Sequence, residues 1–169
     1  DRVRLELDRV ADRPKRPPPL PPGIRLERIG RVLDLSVHAV DGERLRDEVY
    51  CDFTMGGTGA RYAFIPMAEV WVEEILSPSD KTATVLHEVV EWDLMVRDGM
   101  SYGDAHDLAA EVERAFRERR GGFRGAGRRV DLAAIAAGFR KWRRSVAGRS
   151  VGGDAFRPDA RVRVIKYRT

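Results

Sequence analysis

Cysteine, histidine and long apolar runs are all scarce in this chain, and each shortage excludes something. Cys51 is the single cysteine among 169 residues, so no disulfide can form within the chain. That usage fits a reducing compartment. Apolar residues make up 43% of the sequence, yet no run approaches the roughly 20 needed to span a bilayer. No apolar h-region lies near Asp1, so neither a membrane span nor a secretory signal is expected. The expected location is cytoplasmic, with association to a virion as the alternative. Gly56-Gly57-Thr58-Gly59 is not followed by the Gly-Lys-Ser/Thr of a phosphate-binding loop and opens no helix pattern. No internal repeat is present. Histidine occurs three times, and two of the three, His87 and His106, fall in one stretch from Val85 to Glu113.

The length suits one compact domain with a real core. Charge is unevenly spread. Residues 1–116 carry 15 basic and 23 acidic side chains, whereas residues 117–169 carry 16 basic and 4 acidic. A basic tail of this density suits nucleic acid, an acidic protein, or the acidic first part of its own chain.

Three segments are expected: an N-terminal strand and proline arm (1–23), an α+β domain (24–120), and a basic helix with its tail (121–169). Val3, Leu5 and Leu7 alternate with charged residues as in a short strand. Five prolines at positions 17–22 then force a polyproline spacer. From Ile24 the period is mainly two. Leu33, Leu35, Val37 and Ala39 form one face of a strand; Asp41-Gly42 signals a turn; Val49, Cys51 and Phe53 repeat the period. Gly56–Gly59 reads as a hairpin loop. Residues 62–74 read as one more strand, interrupted at Pro66, which argues for an edge position because proline cannot donate to a ladder.

Ser77-Pro78-Ser79-Asp80 predicts a helix cap and Gly99 a helix stop. Ser101 and Asp104 approximate a capping box for a second helix, about 102–119. A glycine-rich joint at 121–127 leads to a third helix with Ile135, Phe139, Trp142 and Val146 on one stripe. Val162–Ile165 is a last strand candidate. The fold class expected is therefore α+β: a small twisted β-sheet, then a helix hairpin, then a basic C-terminal helix.

The hairpin carries the chemistry. On a helix of about 100° per residue, Glu91 lies about 40° from His87, and Glu88 about 100°. The helix is apolar almost all round, so it should be buried, and a buried imidazole with two carboxylates is costly without a partner or a metal. An antiparallel return past Gly99 brings His106 to the level of Glu91, and residues 110–113 to the level of His87. Expected metal ligands are His87, Glu91 and His106, with Glu113 either a fourth ligand or a carboxylate behind the first three. Glu111 falls on the other flank. Two nitrogens and one carboxylate form a catalytic zinc pattern.

This His-Glu-x-x-Glu helix resembles that of the zincin metallopeptidases, which carry His-Glu-x-x-His and take a third ligand from a later element. The resemblance implies that His87 and Glu91 bind zinc and that Glu88 is the general base that activates water. It also implies a peptide or protein substrate lying along an edge strand, here Glu69 to Glu74. Tyr102 or His38 would steady the oxyanion. Glutamate at position 91 departs from the family's second histidine and favours harder metals such as manganese or iron. The stretch from about residue 40 to 113 is also similar to uncharacterised bacterial and phage-encoded proteins with His-Glu-x-x-Glu followed by Gly-x-x-Tyr-x-x-Ala-His. Two other readings remain open: a non-enzymatic assembly component, for instance of a phage particle, and a carboxylate-bridged di-iron protein, which would need a second copy to supply four helices.

Overall fold

The computed structural model describes residues 19–119 and 129–147. The strand candidates at 3–7 and 162–165, the glycine-rich joint and most of the proline arm and basic tail lie outside the described residues. Within them the order is β1 (Arg25–Val32), β2 (Leu35–Val40), α1 (Gly42–Glu48), β3 (Gly56–Thr58), β4 (Glu69–Glu73), α2 (Pro78–Val96), α3 (Tyr102–Arg119) and α4 (Leu132–Val146). This is an α+β fold built on a mixed four-stranded sheet.

The strands lie in the order β1-β2-β4-β3. β1 and β2 form an antiparallel hairpin, closed by Leu33 at a φ of 53° in the turn. β2 runs parallel to β4, and β3 returns antiparallel along the outer side of β4. A parallel pair needs a long crossover, because its ends lie at opposite ends of the sheet. Here the crossover contains α1 and β3. Asp41 caps α1, its carboxylate accepting from the Arg44 amide at 3.0 Å. The expected Asp41-Gly42 turn is thus the start of a helix, since aspartate serves both roles.

Burial explains the other departures from the expected strands. β4 is interior, with Val70 and Val72 in the core beneath α2, and Trp71 in a second core with Ile24, Leu45, Phe53 and Tyr62. A strand covered on both faces shows no clean alternation. Pro66 sits in the turn before β4, its carbonyl accepting from the Glu69 amide at 2.9 Å, and does not mark an edge. Glu69–Glu73 is therefore not the edge strand. That place belongs to β3, whose Gly56, Gly57 and Thr58 are all buried, although the same residues read as a loop. The expected strand through Val49, Cys51 and Phe53 is instead the irregular exit from α1. Phe53 is buried there, while Cys51 is exposed rather than in the core.

The two helices of the hairpin begin and end where the sequence signals place them. Ser77 accepts from the Asp80 amide at 3.1 Å, and Pro78 occupies the first turn of α2. Gly99, at a φ of 68°, follows the last turn, and the Met100 amide reaches back to the Leu94 carbonyl at 3.0 Å, a C-terminal closure that favours glycine. Ser101 caps α3 through the Asp104 amide. α2 is the centre of the molecule: Val85, Leu86, Val89 and Val90 join the sheet, Ala105 and Ala109 of α3, and Ile135 and Phe139 of α4 in one apolar cluster. Arg143 of α4 fastens the far end of α2, pairing with both oxygens of Asp98 at 2.6 and 2.7 Å and with buried Asp93 at 3.0 Å. One basic side chain of α4 therefore answers acidic groups of the same chain.

No helix among the described residues is long and apolar enough to cross a membrane. Because Ile135 is fully buried against α2, Ile135→Ala should destabilise by about 2–5 kcal/mol. Arg140→Ala, at an exposed position of α4, should stay within about 0.5 kcal/mol. Urea denaturation of the two variants compares them directly.

Candidate metal centre

α2 and α3 form an antiparallel hairpin about Gly99, and the site lies between them. His87, Glu88 and Glu91 come from α2; His106 and Glu113 come from α3. Three atoms face one another: His87 Nε2, His106 Nδ1 and Glu91 Oε2. Their separations are 3.1 Å between the imidazoles, 3.0 Å from His106 to Glu91, and 3.5 Å from His87 to Glu91. Four donors placed tetrahedrally about 2.0–2.1 Å from a zinc ion stand roughly 3.3–3.4 Å apart. The triangle thus has nearly the dimensions of three corners of a zinc site, and the donor set of two imidazoles and one carboxylate suits that ion. These three residues are also the group among the described residues able to hold a metal.

Glu113 stands behind this triangle. Its Oε2 is 3.1 Å from His87 Nδ1, on the far side of the ring from the other two donors. An ionised carboxylate can only accept, so Nδ1 donates, and Nε2 is the nitrogen left to face the site. Of the two expected roles for Glu113, this geometry fits the carboxylate behind the ligands. Glu113 is in turn held by Arg117, whose Nε donates at 2.8 Å and which reaches Asp80 at the start of α2 at 2.8 Å. Glu111 is exposed on the other flank of α3. Arg117 escaped the sequence reading although its spacing of four from Glu113 is an ion-pair signal.

The site opens to one side. His87 and Glu91 are 7% and 2% exposed, whereas the His106 side chain is 46% exposed at the mouth. The cleft measures about 80 Å³; one water needs about 10–15 Å³, so an ion with waters fits. β3 forms one wall. A Cβ on Gly56 would lie 2.8 Å from Thr84 Cγ2 and 3.2 Å from Glu88 Oε1. A side chain there would press on the Thr84 methyl and crowd the Glu88 carboxylate, because the edge strand passes directly against α2. Glu88 itself lines the cleft and is 8% exposed. Tyr102 also lines it, its ring centroid 5.5 Å from that of His106. The other expected oxyanion partner, His38, lies in β2 opposite Trp71, with its Nε2 3.8 Å from Glu69, and takes no part in the cleft.

Charge is strongly redistributed. Burial works against the imidazolium of His87, but the hydrogen bonds it donates to Glu113 and Glu91 outweigh it and push its pKa up to about 10. Burial likewise opposes ionisation of Glu91 and Glu113. His106 and His87 pull the first below its usual range, and His87 and Arg117 the second. Glu88 moves the other way: burial and the neighbouring Glu91 raise it well above an ordinary carboxylate. Four ionisable groups in one cleft are thus driven apart in proton affinity, a property common at functional sites.

No family model, curated protein or solved structure matches this chain. What the site does has to be read from its own atoms.

Glu113→Gln keeps the shape but weakens the acceptor behind His87. For zinc offered to the triangle, it should lower affinity about 10–100-fold relative to the wild type, as read by competition with a chromophoric chelator. In chelator-treated protein, His87 is protonated more readily folded than unfolded. Its contribution to stability should be full below about pH 6.5 and lost as pH rises toward about 10. Thermal melts of the wild type and His87→Asn across that range should diverge at neutral pH and converge at the alkaline end.

Proposed function

We propose that the protein is a metal-dependent hydrolase of zincin type that cleaves peptide bonds with an activated water. The observation that carries this reading is the triangle of His87 Nε2, His106 Nδ1 and Glu91 Oε2, backed by Glu113 and flanked by Glu88. These three residues would hold the ion, which when bound supplies a Lewis acid and lowers the pKa of water. The carboxylate at position 91 leaves manganese or iron as alternatives to zinc.

The remaining steps belong to the chain. Glu113, held by Arg117, fixes the ring of His87 and directs Nε2 inward. Glu88 accepts the proton of the attacking water and returns it to the leaving amine, a role for which its place in the cleft beside His87 suits it. Tyr102, which lines the cleft where His38 does not, would donate to the developing oxyanion. β3 is an outer strand of the sheet, but its residues are buried, the Thr58 carbonyl is taken by the Arg61 and Tyr62 amides and the Gly56 amide by the Thr54 carbonyl, so a peptide substrate would enter at the open mouth beside His106 rather than add to this strand. The basic sequence from residue 117 onward would suit nucleic acid or an acidic protein as partner, and the protein would work in the cytoplasm or with a virion.

One feature favours a second reading. His87 with Glu113, and His106 with Glu91, satisfy one another's hydrogen bonds without an ion. A non-enzymatic assembly protein with a buried polar cluster would have the same contacts. Elemental analysis separates the two: about one zinc, manganese or iron per chain is expected, and none would leave the second reading. Glu88→Gln should retain the metal while cleavage of a peptide library falls by about 10²–10⁴. Loss of the metal in that variant would make Glu88 a ligand instead of a base.

A further inference from the structure

Apart from the histidines, the cleft has one cationic side chain in its lining, Arg61. It follows β3 in a tight turn, where the amides of Arg61 and Tyr62 both donate to the Thr58 carbonyl, at 3.1 and 2.9 Å. Its guanidinium lies over the Tyr102 ring with Cζ 4.0 Å from the centroid, and 5.6 Å from that of Tyr62. Stacking on Tyr102 fixes the plane of the guanidinium. Arg61 also hydrogen-bonds the Tyr102 side chain, and its five N–H groups exceed what that one partner takes up. Nε of Arg61 is buried and no acceptor among the described residues meets it. A buried charged donor without an acceptor is costly, and three glutamates stand in the same cleft without pairing to it. Nε is sealed from any ligand, so it is the other N–H groups of this half-buried side chain, in the lining of the cleft, that a molecule from outside can meet.

We propose, resting on the hydrolase reading, that Arg61 recognises a carboxylate of the substrate close to the bond presented to His87, Glu91 and His106. The reach sets how close. Arg61 Cζ is 4.0 Å from the Tyr102 ring centre, and that ring is 5.5 Å from the ring of His106. The guanidinium is no farther from His106 than those two distances laid end to end. An extended residue spans about 3.3–3.6 Å, so the carboxylate belongs within about three residues of the cleaved bond. A guanidinium edge matches the two oxygens of a carboxylate. A doubly charged phosphate would meet stronger repulsion from Glu88, Glu91 and Glu113. The carboxylate comes either from the end of a peptide chain or from an aspartate or glutamate side chain.

Three probes distinguish these sources: N-acetyl-tetraalanine as the free acid, the same peptide as its C-terminal amide, and an amide with glutamate in the last position. Each is titrated calorimetrically into the zinc-loaded full chain, and cleavage is followed by mass spectrometry. Wild type should bind at least one carboxylate peptide on the order of ten- to a hundredfold more tightly than the plain amide. Preference for the free acid assigns end recognition, and preference for the glutamate peptide assigns side-chain recognition. Arg61→Gln should abolish the preference with zinc stoichiometry unchanged; Arg61→Lys should keep part of it through charge alone. Equal binding of all three by wild type, no binding of any, or a preference that survives Arg61→Gln overturns the assignment. A preference without cleavage leaves Arg61 as a carboxylate receptor and removes the hydrolase reading. Cleavage without preference does the reverse.

Discussion

Everything in this structure depends on the cost of burying ionisable groups in α2. Within one turn and a half this helix carries a histidine and two glutamates, at a depth where its other side chains are valines and leucines. Unpaired, such groups would be expelled or neutralised. Here α3 supplies the compensation: His106 for Glu91 and Glu113 for His87. The hairpin is therefore held together by two kinds of contact, an apolar seam through Ala105 and Ala109 and a polar seam beside it. The small alanines let the helices approach closely enough for the imidazoles to meet.

The sheet completes the arrangement from the other side. β4 and β2 present Val70, Val72 and Val37 to α2, while β3 runs past Glu88 as backbone with almost no side chain. A carboxylate buried against a glycine strand and beside Glu91 loses more from desolvation and repulsion than the neighbouring His87 restores. That environment is what raises its proton affinity above the ordinary. Glu73 fixes the start of this wall. Its carboxylate accepts from the Met55 amide at 3.1 Å and pairs with Arg46 of α1. The crossover helix and the cleft rim are joined through that one buried group.

Much of the site was legible in the sequence because it is local. Helical rotation and a glycine stop suffice to bring residue 87 near 113 and residue 91 near 106, and the caps at Ser77 and Ser101 fixed the register. The sheet was less legible. Alternation finds strands with one wet face, such as β2, and fails for β4, which is apolar on both sides, and for β3, three residues with two glycines. Val49 to Phe53 alternates without being a strand, because Phe53 alone is drawn inward. Arg61 carries no local signal at all. It reaches the cleft only because the turn after β3 places it over Tyr102, a contact between residues 41 apart in sequence that no periodicity encodes.

The turn at Gly99 bears on the order in which the protein assembles. Its αL conformation closes a hairpin whose polar contacts span 15 to 26 residues. The parallel pairing of β2 with β4 joins residues 33 apart, as from Val37 to Val70, and needs an intervening helix and a third strand to be accommodated. Loop closure is cheaper for the shorter span, and local contacts form sooner. The donor triangle thus belongs to contacts that need shorter loop closure than the parallel pairing of the sheet. An ion held there would engage a half-formed molecule and act as a template for the sheet that later closes over Glu88.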